Sequence, residues 1–162
     1  MKTKIFRSSL ICLALLTCGG SLFAQETVTT LPPVTVTANS NVTKKVAQAF
    51  ETTFKEAYHE RWYKADKNYL VNFIMNDQKN HALFTKNGSI IYHITYGFES
   101  NLPDDIRKMV KTGYLDYTIT SAINVKQEGR DIWVVNMEDA KNLILVRVEN
   151  GEMEEAAKYD KP

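Results

Sequence analysis

Cysteine is almost missing from this sequence. The only two, Cys12 and Cys18, lie near the N-terminus. The rest of the chain can therefore hold no disulfide framework, thiol nucleophile or cysteine metal site. An excess of one charge is missing too, with 20 Lys+Arg against 19 Asp+Glu. That balance removes the broad attraction to phosphate on which nucleic-acid binders rely. No apolar run is long enough to span a bilayer, which needs about 20 residues. Glycine (7) and proline (4) are few among the 162 residues, of which 44% are hydrophobic and 24% charged. Those proportions exclude disorder along the whole length and suit one folded domain, or two small units sharing a core.

Recognisable catalytic motifs are absent as well. There is no Gly-rich phosphate loop, Gly-x-Ser-x-Gly elbow, His-Glu-x-x-His or EF-hand pattern. Three histidines remain, His59, His81 and His93. A metal or catalytic site would need them to converge with a carboxylate. A tight hairpin at Asn87-Gly88 pairs 81 with 94 and 82 with 93, which sends His81 and His93 to opposite faces. Asp104-Asp105 sits where acids complement a helix dipole. Asp131, Glu138 and Asp139 have no cation-loop spacing. The expectation is an enzyme activity of none, with no catalytic residue, metal or cofactor.

The N-terminus carries an export pattern. Lys2, Lys4 and Arg7 precede the apolar run Leu10–Leu16, and Gly19-Gly20-Ser21 leads to Leu22-Phe23-Ala24 before Gln25. This is the order of a secretory signal peptide, residues 1–24, cleaved after Ala24. Leu15-Leu16-Thr17-Cys18 approaches a lipoprotein cleavage site, but Thr17 is bulkier than the small residue usual there, so simple cleavage into the periplasm is expected over lipidation. Cleavage takes three bases and no acids, leaving the mature chain with two acids in excess.

Residues 25–41 are rich in Thr, Val and Pro and read as an arm or linker. Val34–Thr37 has strand chemistry that could add to a sheet edge, although an isolated segment of this kind is expected to be disordered. Val42, Val46, Phe50 and Phe54 recur every four residues, one apolar stripe on a helix of about four turns. Tyr69–Ile74 reads as a strand, and Asn87-Gly88 between two apolar runs is a hairpin. Leu102-Pro103-Asp104-Asp105 starts a second helix, with Ile106, Met109 and Val110 facing inward and Gly113 ending it. Leu115 to Val125 alternates with period two, which places Ile119, Ser121, Ile123 and Val125 on one buried face. Ile132–Met137, Leu143–Val148 and a strand after Asn150-Gly151 complete the chain.

The two halves match. Displaced by 60 residues, Val46, Phe50 and Phe54 fall on Ile106, Val110 and Tyr114. Displaced by 64, Tyr69, Val71 and Phe73 fall on Trp133, Val135 and Met137. The expected fold is α+β: a tandem repeat of helix plus antiparallel β-meander, units 42–100 and 101–160, both helices on one face of an extended sheet.

Over residues 42–158 the chain resembles the PepSY-like, β-lactamase-inhibitor-like exported proteins of Bacteroidetes-type bacteria. The resemblance rests on Phe23-Ala24-Gln25, the Val46/Phe50/Phe54 helix followed by Trp62, Tyr69-x-Val71-x-Phe73, Lys86-Asn87-Gly88, Leu102-Pro103 and Asn150-Gly151. It implies a tandem α+β fold, a periplasmic or outer-surface location and a binding or inhibitory role, with no catalytic residues to carry over. The Thr-rich arm is longer than usual, and Tyr58-His59-Glu60-Arg61 lacks the Pro-x-Ala often found before the tryptophan.

The sheet face away from the helices is expected to carry Leu70, Asn72, Ile74, Thr118, Thr120, Ile132, Val134 and Asn136. Its mixture of aliphatic and polar groups suits a recognition patch. The reading is a non-enzymatic module that binds another exported or cell-envelope protein through this face, as an inhibitor or modulator. The alternative is a carrier of a small apolar or lipid-like ligand held in a groove between the two units.

Overall fold

The structure is a computed structural model that describes Val36–Ala38 and residues 42–162. The signal sequence and most of the arm lie outside the described residues. The elements run β1 (Val36–Ala38), α1 (Lys44–Thr53), β2 (Tyr58–Ala65), β3 (Asn68–Met75), β4 (Gln78–Phe84) and β5 (Ile90–Gly97). A 3-10 turn at Glu99–Asn101 then leads to α2 (Asp104–Gly113), β6 (Thr118–Gln127), β7 (Arg130–Glu138), β8 (Asn142–Glu149) and β9 (Glu152–Asp160).

Local chemistry explains the helices. Thr43 caps α1, its hydroxyl accepting from the Val46 N–H at 3.4 Å. Val46 and Phe50 are the buried residues of α1, and Phe54 closes it by donating its N–H to the Phe50 carbonyl at 2.8 Å. Ten residues, not four full turns from Val42, form this helix, because Phe54 already leaves helical geometry at φ −118°. Pro103 precedes α2, and Asp104 and Asp105 lie in its first turn, where negative charge meets the positive end of the dipole. Arg107 holds the entry by donating to the Leu102 carbonyl at 2.8 Å and to Asp104 at 3.0 Å.

The strands correct the expected tandem repeat. They form one nine-stranded antiparallel sheet, ordered β1 to β9 as in the sequence: eight long strands and the three-residue β1. Two ten-residue helices are the only α-helices among the described residues, so the molecule is mostly sheet. No seam divides it. β5 and β6 pair over six positions, from Tyr92↔Gln127 to Gly97↔Ala122, across the supposed unit boundary. Periodicity within each half cannot reveal such a pairing, because it is a contact between the halves.

The arm is not wholly free of the fold, since Val36–Ala38 pairs with Tyr63–Ala65 at the edge of β2. The sequence reading assigns no strand to β2. Its polar start hides Trp62, which packs inward, and Ala65, which is buried.

The core consists of two apolar clusters. Val46, Phe50 and Phe54 press on Tyr69, Val71, Phe73, Ala82 and Phe84. Leu102 and Val110 press on Ile119, Ala122, Val135, Met137, Ile144, Val146 and Val148. Register places the sheet residues of both clusters on the same face: Val71 opposes Ala82, Gly97 opposes Ala122, Ala122 opposes Val135, and Val135 opposes Val146. The opposite face meets no helix among the described residues.

Candidate partner-binding site

Strand alternation builds the uncovered face. Once Val71, Ala82, His93, Ala122 and Val135 point toward the helices, their neighbours along each strand point away. Cross-strand pairing then sets rows. One row runs Arg61, Asn72, His81, Ile94, Val125, Ile132 and Glu149. The next runs Ile74, Lys79, Tyr96, Ile123, Val134, Arg147 and Glu154. The first row has an aliphatic middle and polar ends; in the second, Tyr96, Ile123 and Val134 lie between Lys79 on one side and Arg147 and Glu154 on the other.

Of the residues expected on this face, Leu70, Asn72, Ile74, Val134 and Asn136 lie there half-buried. Ile132 is also there but retains only 9% exposure, so little of it meets a partner. Asn136 already has a partner: its Nδ2 donates to Ser121 Oγ at 2.7 Å. Thr118 sits beside Glu138 at the end of β6. Thr120 is the extra residue of a β-bulge between Ile119 and Ser121, and its hydroxyl donates to the Asn136 carbonyl at 3.2 Å.

That bulge also overturns the expected interior of β6. Ile119 is buried, but past Thr120 the alternation inverts: Ala122 (1% exposed) and Asn124 (7%) face the helices. Ile123 and Val125 turn to the uncovered face and join its aliphatic middle. Sequence reasoning also passed over Ile94, Tyr96, Lys79, His81 and Leu145. For the four on β4 and β5 the signal is the register around Asn87-Gly88; for Leu145 it is the pairing with Asn136.

The polar ends differ. At β7–β9, Arg130 Nε and Glu149 Oε1 lie 2.6 Å apart, and Arg147 holds Glu154 at 2.5 Å while also contacting Glu149. The hydrogen bonds and charge of Arg130 hold the Glu149 carboxyl below its usual range. At β2–β4, the His81 Nδ1 lies 3.4 Å from the Tyr96 hydroxyl, and burial lowers the His81 pKa.

His93 is on the other face, as the pairing Ala82↔His93 requires. Its ring centroid lies 4.8 Å from that of Phe54, and its Nε2 is 2.9 Å from Asn80 Oδ1. Burial, then the charge of Lys126, lowers its pKa to about 4. The three histidines do not meet. No group of three His, Cys, Asp or Glu is placed to hold a metal ion among the described residues. Between the helices, Asn80, His93, Thr95 and Asn124 make a polar strip that offers an apolar ligand little.

No protein-family model matches the sequence, and a search of curated proteins finds no match. Solved structures do match. A BLIP-like protein from Bacteroides fragilis superposes with a TM-score of 0.61 at 14% identity, covering 75% of this chain and 88% of that one. A DUF2874 family protein from Bacteroides ovatus gives 0.60 at 16% identity, covering 75% and 89%. A protein from Bacteroides eggerthii, provisionally described as periplasmic, gives 0.58 at 14% identity, covering 75% and 90%. The PepSY-like part of the expected resemblance finds no support among them. The chain has the fold of these BLIP-like and DUF2874 proteins of Bacteroides.

Proposed function

We propose that this protein is an exported, non-enzymatic binding module that docks another exported or cell-envelope protein on its uncovered sheet face and so modulates or inhibits it. The observation that carries the reading is the largely apolar middle of that face, Ile94, Val125, Tyr96, Ile123 and Val134, bordered by charged residues. An apolar centre with a polar rim is the anatomy of a protein interface. Export is supported by the basic, apolar and small-residue order of residues 1–24.

The test starts from a partner identified by capture from the host's periplasm and then purified. Calorimetric titration against the mature chain should show at least tenfold weaker binding for Val134→Lys and for Ile123→Lys, about 1.4 kcal/mol or more. Circular dichroism should stay unchanged. Lys108→Glu, exposed on α2, should bind as the unaltered protein does. Equal affinity across all three variants rejects the face.

A further inference from the structure

The β2–β4 end of the uncovered face differs from the rest. β2 breaks register between Tyr58 and Arg61, and His59 takes a left-handed φ of 57° there. The break opens a cavity of ≈ 660 Å³ lined by His59, Glu60, Arg61, Asn72, Lys79 and His81, among others. Arg61, Asn72 and His81 stand side by side in one row, with Lys79 two residues from His81 on the same strand.

Two features of this cavity are unsatisfied. Asn72 Oδ1 is buried without a hydrogen-bond partner. Such an acceptor is costly unless something donates to it. Neither Arg61 nor Lys79 forms an ion pair among the described residues, whereas Arg130 and Arg147 at the far end of the face do. Glu60 is the single acid in the lining.

A second cleft of ≈ 590 Å³ adjoins the first and shares Lys79 with it. Its walls include Tyr96 and Phe98, and Phe98 is 70% exposed. The surface therefore presents two cations free of ion pairs and an aromatic wall side by side, with Glu60 and Asp77 as the acids of the two linings.

We propose that this double cleft takes a peptide segment in which an acidic residue is followed by an apolar one. The carboxylate lies between Arg61 and Lys79, and the apolar side chain rests on Tyr96 and Phe98. Charge complementarity selects the acid, and the shared Lys79 sets its spacing from the apolar neighbour. A free carboxylate would use the first cleft only. The proposal rests on the reading of this face as a protein-docking surface and names the chemistry of the segment it holds.

The experiment follows backbone amide shifts of the ¹⁵N-labelled mature protein. Four probes are added: capped tetrapeptides Gly-Glu-Leu-Gly, Gly-Gln-Leu-Gly and Gly-Glu-Gly-Gly, and sodium acetate. The Glu-Leu peptide should give saturable shifts at Asn72, His81 and Tyr96. The Gln-Leu peptide should bind at least tenfold more weakly, the Glu-Gly peptide severalfold more weakly, and acetate should not saturate over the same range. Arg61→Gln with Lys79→Gln, both at solvent-exposed positions, should abolish the preference for Glu over Gln. Lys108→Glu, exposed on α2 and outside both clefts, should leave peptide binding intact. Equal binding of the Glu-Leu and Gln-Leu peptides, shifts confined to another part of the sheet, or saturation by acetate alone overturns the proposal. If the peptides fail while Val134→Lys still weakens a purified partner, the docking face stands and this cleft does not. If the peptides bind while Val134→Lys leaves the partner's affinity unchanged, the cleft stands and the wider face does not.

Discussion

A single side chain, His93, links core packing to acidity. It lies against Phe54 and Phe73 and shares Asn80 Oδ1 with the Thr95 hydroxyl. Its pKa falls to about 4, so the folded state resists protonation that the unfolded chain accepts near 6.5. The stability it contributes is therefore complete above pH 6.5 and is lost as pH falls toward 4. With allowance for solvent at a half-buried ring, the loss is about 1–2 kcal/mol. Urea denaturation at pH 7.5 and pH 4.5 should show this drop in the unaltered protein and a smaller one in His93→Gln. Asp139 works in a lower window. Its pKa is held at about 2 by the Lys141 N–H and by Asn142, so its contribution is present above pH 3.8 and fades only toward pH 2. Asp139→Asn should flatten the most acidic part of the profile and leave the His93 step in place.

At the level of elements, contact between a turn and a helix decides what a hairpin glycine is worth. Gly88 in the β4–β5 turn and Gly151 in the β8–β9 turn both have positive φ, 89° and 78°. A Cβ on Gly88 would meet the Lys45 carbonyl oxygen at 3.0 Å and Ala49 Cβ at 3.1 Å, whereas one on Gly151 meets nothing within 4 Å. Both alanine variants suffer the left-handed strain of about 1 kcal/mol, and Gly88→Ala must also push α1 away. Thermal melts should therefore place Gly88→Ala clearly below Gly151→Ala. α1 in turn is anchored by Phe50, whose ring lies 5.1 Å from Phe73 and 5.3 Å from Trp62. Phe50→Ala should cost about 3–5 kcal/mol in urea denaturation.

Elements also mark what the sequence makes legible. The Asn87-Gly88 turn, the acid-led start of α2 and the alternation of β3 are local signals, and each gives a real element. β2 is hidden because Tyr58-His59-Glu60-Arg61 is polar and exposed. The face of Ile123 and Val125 is hidden because one extra residue, Thr120, inverts a period that otherwise looks uninterrupted. A bulge has no composition of its own, so only the partner strand exposes it.

At the level of the molecule, the expected tandem repeat of helix plus meander gives way to a single meander that is mostly sheet, its two matching halves joined by the β5–β6 ladder. The candidate face inherits this continuity. Its aliphatic middle is contributed by β5, β6 and β7 together and belongs to neither half. β1 adds three paired positions at one edge. A chain beginning at residue 42 should therefore lose less than about 2 kcal/mol in urea denaturation, while its bared β2 edge should raise self-association in light scattering.

The strict succession of strands separates the two ends of the folded chain. β1 and β9 occupy opposite margins of nine strands, and at about 4.8 Å per strand they stand roughly 40 Å apart. Joining them to make a circular permutant would need a bridging peptide of a dozen residues or more. A tether at the N-terminal margin would leave the β9 margin as the part of the molecule that reaches farthest from its point of attachment.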